Sequence, residues 1–262
     1  MYSIILYSSL KPSSVEYFEI PLIILTGFVA AFLNTVGGGG SLFTVPMLTF
    51  FGLPITSANA TNRVALLVQN LFAVGGFRSK NVALPWPYSL YLGISTLGGG
   101  IIGSLLASRI NDELFSKIFA AVMIMAVFLI VFNPKKSKGE ERLTFKSQVI
   151  GTICFFFLGI YGGFVQAGIG FLVLAVLNLV NNLSLITSNY VKVFSAIVYT
   201  GVSIIVFAVE GKIHWATGGI LAIGMAWGGW FASRWSVDKG EVWIKRVMVV
   251  SIIAMAIKLW FF

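Results

Sequence analysis

The sequence is poor in charged residues, and this scarcity decides its class. Only 10% of the 262 residues are charged, while 58% are hydrophobic and the mean hydropathy is +0.94. An average soluble domain has roughly 25% charged residues, so this chain cannot cover an ordinary soluble surface. The composition excludes a soluble enzyme, a disordered chain and a coiled coil, and it predicts a protein that crosses a membrane several times.

Residues that build disulfides and metal centres are equally scarce. The chain has one cysteine, Cys154, and one histidine, His214, which permits neither an intramolecular disulfide nor a multi-cysteine metal site. Catalysis at a membrane interface normally needs clustered carboxylates, histidines or metal ligands. We therefore predict that the protein has no cofactor and is not an enzyme.

Acidic residues are absent from the interior of the apolar segments. All nine lie at segment ends or in loops: Glu16, Glu19, Asp112, Glu113, Glu140, Glu141, Glu210, Asp238 and Glu241. A cation carrier or a carboxylate proton relay normally has an acid at mid-membrane. The distribution therefore favours an anionic substrate.

Basic residues are in excess and give a net charge of +9. Lys and Arg accumulate in the cytoplasmic loops of membrane proteins, and no basic run is interleaved with stacking aromatic residues, so we predict no nucleic-acid partner. The polar stretch 133–146 is expected to be a cytoplasmic linker, and it contains Lys135, Lys136, Lys138, Arg142 and Lys146. Residues 1–10 lack the basic start and cleavage pattern of a signal peptide, so we expect them to be retained.

Apolar segments fill the rest of the chain. They fall at 20–36, 41–53, 57–77, 86–108, 114–132, 147–167, 169–180, 188–209, 214–233 and 242–261. The segments 41–53 and 169–180 are too short to cross a bilayer alone, and each follows a glycine-rich break. A long helix interrupted at the break and a helix followed by a re-entrant half-helix both fit. Counting each interrupted pair once predicts an all-α bundle of about eight spans in the cell membrane.

The two sides of the linker resemble each other. Gly99, Gly103 and Ala107 recur as Gly224, Gly228 and Ala232 at an offset of 125, and Asn34 matches Gln166 at 132. We predict two tandem four-span repeats, 1–132 and 147–262, joined by the linker 133–146. Four spans per half predict parallel repeats with both termini in the cytoplasm, whereas re-entrant turns at the breaks would give inverted repeats.

The candidate substrate site lies at the two breaks and the helix starts that follow them. A half-helix beginning at Ser41 would direct its positive N-terminal end toward the break; close helix packing is the alternative explanation for the glycines. Arg63 and Lys192 stand at matched positions and either face one central cavity or extend to the interface. The remaining candidates are glycines and neutral polar residues: Asn34, Gly37, Gly38, Gly39, Gly40, Thr61, Asn62, Gln166, Gly168, Gly170 and Asn189. Gln69 and Asn70, about two turns further along the helix that carries Arg63, are weaker candidates.

A family resemblance adds to this interpretation. The stretch Gly27–Leu48, with its glycine run and Pro46, followed by Gly52-Leu-Pro and Ala58-Asn-Ala-Thr-Asn-Arg, resembles the opening of the sulfite exporter TauE/SafE family. The second half has Gly-Ile-Gly at 168–170 and lacks a counterpart of Pro46, so its contribution to a site need not equal that of the first half.

The resemblance implies a permease for sulfite, a sulfonate or a related sulfur anion. From the duplication and the broken helices we hypothesise that it works by alternating access. A passive anion channel and an accessory membrane subunit without transport activity remain alternatives. The expected partners are the lipid bilayer and a small anion. The coupling ion could be a proton or a sodium ion, and the sequence does not distinguish them. The small residues Gly99, Gly103 and Ala107 permit a homodimer but do not require one.

Overall fold

The structure, a computed structural model, describes residues 19–131 and 141–261, and all regular elements within these ranges are helices. The prediction of an all-helical protein is thereby confirmed. The predictions for residues 1–10 and for most of the linker 133–146 lie outside the described residues. The helices are α1 Glu19–Val36, α2 Ser41–Phe50, α3 Ile55–Ser79, α4 Tyr88–Arg109, α5 Asp112–Val131, α6 Phe145–Phe164, α7 Ile169–Asn181, α8 Leu185–Val209 and α9 Trp215–Phe261.

Three of the described helices, α4, α6 and α8, are long and apolar enough to cross a membrane on length and composition. The helix α9 is divided at Gly240, whose φ of +73° interrupts the helix. Beyond Gly240 the chain turns back, since Ile244 packs in one cluster with Ala232 and with Val36 of α1.

Both predicted breaks are present between helices. Gly38 has φ +109° in the first break, and Gly168 has φ +72° in the second, a conformation that glycine adopts without steric cost and that ends a helix. After the first break the chain doubles back, because a Cβ on Gly40 would lie 2.2 Å from the carbonyl oxygen of Ala30. The short helix α2 therefore returns beside the end of α1.

Three helices run side by side in one direction and form what we call the first bundle: α1, α3 and residues 215–239 of α9. Along α3 and α9, Thr61 meets Gly218 and Gly76 meets Trp230, so the two helices advance together. In the same way α1 advances along α9, where Ile24 meets Gly224 and Phe28 meets Gly228. Because α1 and α3 run the same way, α2 must bring the chain back between them.

The helices α4, α6 and α8 form a second bundle that runs in the opposite direction. Ser95 of α4 donates to the Thr152 carbonyl of α6 at 2.6 Å, and eight residues further along α4, Gly103 meets Ile160 of α6. The helices α3 and α8 are antiparallel, since Phe77, near the end of α3, stacks on Tyr190, near the start of α8, with ring centroids 5.3 Å apart.

Each half of the chain packs its fourth helix, α4 or α9, on the first helix of the other half. A Cβ on Gly103 of α4 would lie 2.0 Å from the Ile160 carbonyl oxygen of α6, and one on Gly224 of α9 would lie 2.0 Å from the Ile24 carbonyl oxygen of α1. Glycines thus allow the backbones to touch, as small residues commonly do between membrane helices. The packing role expected for these glycines matches this geometry, and their partner is the other half of the chain.

Two glycines of α9 give a matched test of this packing. A Cβ on Gly228 would lie 2.4 Å from the Phe28 carbonyl oxygen, whereas one on Gly219 would meet nothing within 4 Å. We expect Gly228→Ala to destabilise the protein by about 1–3 kcal/mol, because a rigid backbone must shift, and to lower its melting temperature in detergent. Gly219→Ala should be neutral or stabilising, because alanine favours helix by about 1 kcal/mol. Equal melting temperatures for the two variants would contradict the close approach.

Candidate functional site

The two breaks meet each other in the middle of the molecule. A Cβ built on Gly38 or on Gly170 would lie 2.3 Å from the Cα of the other glycine. The side chains beside the breaks reach the centres of the long helices: Asn34 donates to Gln69, residue 15 of the 25 in α3, and Gln166 donates to Thr200, residue 16 of the 25 in α8. The breaks therefore lie about halfway along the long helices.

A small polar cavity lies where the breaks meet. Its volume open to the centre of a water molecule is about 10 Å³, which is about the room that one water needs. It is lined by Asn34, Ser41, Asn70, Gln166, Ile169, Gly170, Lys192, Ala196 and Tyr199. The start of α2 and the start of α7 thus open onto the same cavity from the two halves of the chain.

Backbone donors at this cavity are unused. Within the part of the chain that the structure describes, the N–H groups of Ser41 and Gly170 donate to no protein acceptor, as expected for the first turn of a helix. Two buried side-chain atoms in the lining also have no partner there, Nδ2 of Asn70 and Oε1 of Gln166. Buried polar groups are normally satisfied, so this cavity is equipped to hold a polar ligand.

Lys192 closes one side of the cavity. Its ammonium donates to the carbonyl oxygens of Asn34 and Thr35, each at 2.9 Å, and to Oδ1 of Asn189 at 2.7 Å. A lysine has three donors, so all of them are used. The two carbonyls belong to the last turn of α1, where the helix dipole is negative.

Arg63 makes the equivalent contact with the other break. Its guanidinium donates to the carbonyl oxygens of Gly162 and Gly163 at 2.8 Å and of Phe164 at 3.2 Å, in the last turn of α6. The guanidinium also lies 5.1 Å from the centre of the Phe207 ring. Arg63 is 0% exposed and Lys192 is 6% exposed, so neither side chain extends to the surface of the protein.

An asparagine one turn before each cation makes the same kind of contact. Asn59 donates to the Phe164 carbonyl at 3.2 Å, and Asn189 donates to the Val36 carbonyl at 3.1 Å. Each half of the chain therefore supplies an asparagine and a cation that satisfy the carbonyl end of the broken helix in the other half. We call these two groups the latches: Asn59 with Arg63, and Asn189 with Lys192.

The buried side chains of the site carry a net positive charge. Among the residues whose burial is described, the buried charged side chains are Arg63 and Lys192, and no aspartate or glutamate is buried. The negative ends of α1 and α6 compensate part of this charge, and the positive ends of α2 and α7 add to it. An anion in the cavity would therefore lie beside Lys192, with no carboxylate among the lining residues.

The sequence candidates fall into three groups in the structure. Asn34, Ser41, Gln166, Gly170 and Lys192 line the cavity. Others form or hold the breaks: Gly37, Gly38, Gly39, Gly40 and Gly168 by their position, and Arg63 and Asn189 by their hydrogen bonds. Thr61 and Asn62 are buried but are not part of the lining, and the Thr61 hydroxyl accepts from the His214 N–H.

Sequence reasoning did not identify Tyr199 and Asn59, two polar residues of this region. Tyr199 lines the cavity through the stripe of α8 that also carries Lys192 and Ala196, and helical spacing from Lys192 was the available signal. Asn59 forms half of one latch, and its offset of 130 from Asn189 is the offset that separates the starts of α3 and α8. Aligning those helix starts would have identified it.

Comparisons with known proteins match most of the chain to probable membrane transporters. The chain is 26% identical over 244 residues to a probable membrane transporter protein of Haemophilus influenzae, covering 91% of this chain and 93% of the relative. It is 25% identical over 240 residues to the probable membrane transporter protein YfcA of Escherichia coli, covering 91% and 88%. No solved structure matches.

A family model gives the assignment. The model of the sulfite exporter TauE/SafE family matches residues 23–259, a range that includes both breaks, both latches and the central cavity. Because the match covers most of the chain, the protein belongs to the sulfite exporter TauE/SafE family of membrane transporters.

Proposed function

We propose that this protein is a secondary transporter of a small anion, such as sulfite, an organosulfonate or a related sulfur oxyanion. The observation that carries the proposal is the central cavity, where two broken-helix N-termini meet beside Lys192 with no buried carboxylate among the residues of described burial. The sulfur chemistry is supported by the name of the family model. We infer residence in the cell membrane from the apolar helices and the relatives.

The anion is recognised by neutral donors and by nearby charge. The N–H groups of Ser41 and Gly170 and the amide of Asn70 supply hydrogen bonds, with Asn34 and Gln166 at the wall. Because the donors of Lys192 are occupied by carbonyl oxygens, its charge acts across the cavity rather than through a contact. Such a site selects a compact anion by size and charge more than by the shape of its oxyanion group.

The structure corresponds to a closed state in this proposal. The cavity has room for about one water molecule, and a sulfur oxyanion is larger. Loading the anion therefore requires the walls of the cavity to move apart, which is the movement that alternating access provides. Transporters built from repeats commonly bind substrate at discontinuous helices near the midplane.

We infer that the two halves are inverted repeats with re-entrant first hairpins. The helices α1 and α2 enter and leave on one face, and α6 and α7 on the other, so each half crosses the membrane three times instead of the four expected from the sequence. This arrangement follows from the opposite directions of the two bundles. It puts the end of α5 and the start of α6 at the same face of the membrane, which we call the linker face.

The basic residues favour a cytoplasmic linker face. Eight of them in the described chain lie at this end of their helices, namely Arg78, Lys80, Arg142, Lys146, Arg234, Lys239, Lys245 and Arg246, against four at the opposite end, Arg109, Lys117, Lys212 and Lys258. Such an asymmetry is the positive-inside pattern. With parallel four-span repeats, Arg234 and Lys239 would lie outside.

Single-cysteine accessibility distinguishes the two topologies. In a Cys154→Ser background, we expect His214→Cys to react with an impermeant maleimide from outside the cell, and Lys239→Cys to react only after the membrane is opened. Both positions are exposed on the protein surface. Parallel four-span repeats require the reverse pattern, so that result would overturn the inverted arrangement.

Ligand-induced thermal stabilisation tests the anion site. We expect sulfite, thiosulfate, taurine, sulfoacetate or a carboxylate to raise the melting temperature of the purified protein in a concentration-dependent way, because a binder stabilises the folded state by mass action. Asn70→Asp should abolish the shift, since a carboxylate would then face the anion at close range. The matched control is Asn111→Asp, in an exposed helix cap where aspartate is equally suitable. A shift that survives Asn70→Asp would contradict the site.

Flux into proteoliposomes separates the proposal from its alternatives. A secondary transporter gives saturable flux that depends on a proton or sodium gradient, and imposing each gradient in turn identifies the coupling ion. A passive anion channel gives flux that follows the anion gradient without saturation. An accessory subunit gives no flux in reconstituted form.

A further inference from the structure

We propose that the bodies that move during transport are the first and second bundles rather than the two sequence repeats, and that Asn59 with Arg63 and Asn189 with Lys192 are positioning residues that hold these bundles closed. This inference rests on the transport activity proposed above. It differs from a rocking of one sequence repeat against the other, because each bundle contains helices from both halves of the chain.

Within each bundle, backbones touch along the helices. In the first bundle, a Cβ on Gly224 would lie 2.0 Å from the carbonyl oxygen of Ile24, and in the second, a Cβ on Gly163 would lie 2.4 Å from the carbonyl oxygen of Gly100. Contacts of this kind allow little sliding, because there is no flexible side chain between the helices. Each bundle is therefore expected to move as one rigid body.

Between the bundles, the long helices meet through side chains. Phe77 of α3 stacks on Tyr190 of α8, and the Arg63 guanidinium lies over the Phe207 ring. Rotamer changes let such contacts separate and re-form. The exception is the backbone contact of Gly38 with Gly170 at the cavity, which lies at the crossing of the two breaks and is a suitable pivot.

Both latches cross this interface. Arg63 and Asn59 belong to α3 in the first bundle and hold α6 in the second, whereas Lys192 and Asn189 belong to α8 in the second bundle and hold α1 in the first. Separating the bundles at one face therefore requires a latch to release its carbonyl oxygens. In the closed state the latches fix the positions of the two half-helix starts that line the cavity.

Two aromatic pairs allow a matched cross-linking test. Phe77 and Tyr190 have ring centroids 5.3 Å apart across the bundle interface, and Phe32 and Trp235 have centroids 5.1 Å apart inside the first bundle. Both pairs join the first half of the chain to the second, so motion of whole sequence repeats would strain both links. Motion of the bundles strains only the first.

The experiment uses cysteine pairs in a Cys154→Ser background with a short, cleavable thiol cross-linker. We expect the link at Phe77→Cys and Tyr190→Cys to reduce anion flux by about tenfold or more, because alternating access needs relative motion, and cleavage to restore it. The link at Phe32→Cys and Trp235→Cys should leave flux within about twofold of the unlinked protein. Equal inhibition by both links, or by neither, would overturn the bundle assignment.

Spin-label distances provide a readout that does not depend on transport. Labels at 77 and 190 should give two populated distances whose ratio changes with added sulfite, and labels at 32 and 235 should give one. If the unlinked protein carries no anion, the proposed function fails, whereas the distances still decide which bodies move. A distance between 32 and 235 that varies as much as the one between 77 and 190 would contradict the inference.

The latches are tested with the same labels. We expect Asn59→Leu and Asn189→Leu each to shift the 77–190 distance toward the longer population, because each removes a hydrogen bond that is made only in the closed state. The 32–235 distance should stay unchanged, which a general loss of folding would not allow. Asn111→Leu, outside the interface, is the control, and an unchanged 77–190 distance in both latch variants would refute the positioning role.

Discussion

Gly170→Ala is expected to abolish anion binding and transport. The added Cβ would lie 2.3 Å from the Cα of Gly38, and neither backbone can yield without displacing a half-helix start from the cavity. Proteoliposome flux and the anion-dependent melting shift would both measure the loss. Gly38→Ala should be at least as severe, because its φ of +109° is also unfavourable for any residue with a Cβ.

A comparison with Gly52 separates the effect of the steric contact from the effect of backbone strain. Gly52 has φ +89°, and a Cβ there would meet nothing within 4 Å, so Gly52→Ala carries the conformational cost of about 1 kcal/mol alone. In Gly170→Ala the only added cost is the steric contact with Gly38. We expect Gly52→Ala to retain transport with a slightly lower melting temperature. If Gly170→Ala transports as well as Gly52→Ala does, the contact between the breaks is not essential.

Arg63→Gln is expected to reduce transport by at least about 100-fold while the protein still inserts into the membrane. The change removes the buried guanidinium and its bonds to three successive carbonyls. One hydrogen bond to a charged group contributes about 1.5–3 kcal/mol, and 1.4 kcal/mol corresponds to a factor of ten. Flux and membrane yield, measured together, separate loss of function from loss of insertion.

Two comparisons sharpen this test. Arg63→Lys keeps the charge but replaces a planar fork with a point charge, so we expect transport between that of Arg63→Gln and that of the parent protein. Arg109→Gln, at the exposed end of α4, removes a surface cation and should leave flux unchanged. Normal flux in Arg63→Gln would remove Arg63 from the transport machinery.

The sequence was most informative where composition and spacing have one physical meaning. Low charge predicts a membrane protein, and the small-residue spacing around Gly103 and Gly228 predicts close helix packing, because a bilayer and a helix groove impose those patterns. The matched cations Arg63 and Lys192 were identified from their place beside the breaks. None of these signals requires knowledge of which segments pack together in the fold.

What the sequence did not reveal depends on long-range pairing. The partner of Gly103 is Ile160, and the partners of Lys192 are carbonyls of Asn34 and Thr35, and no local pattern specifies a backbone acceptor so far away in the chain. Equally, a glycine run does not say whether the next helix continues or returns. That choice follows from the direction of α3 relative to α1, which is a property of the assembled fold.

The exchange of partners between the halves has a consequence for synthesis. When the first half emerges, α1 lacks its packing partner at Gly224, and its terminal carbonyls lack Lys192 and Asn189, which lie more than 150 residues further along the chain. The first half must therefore wait in the membrane, incompletely assembled, until the second half is made. Two halves produced from separate genes should consequently assemble only when they are made together.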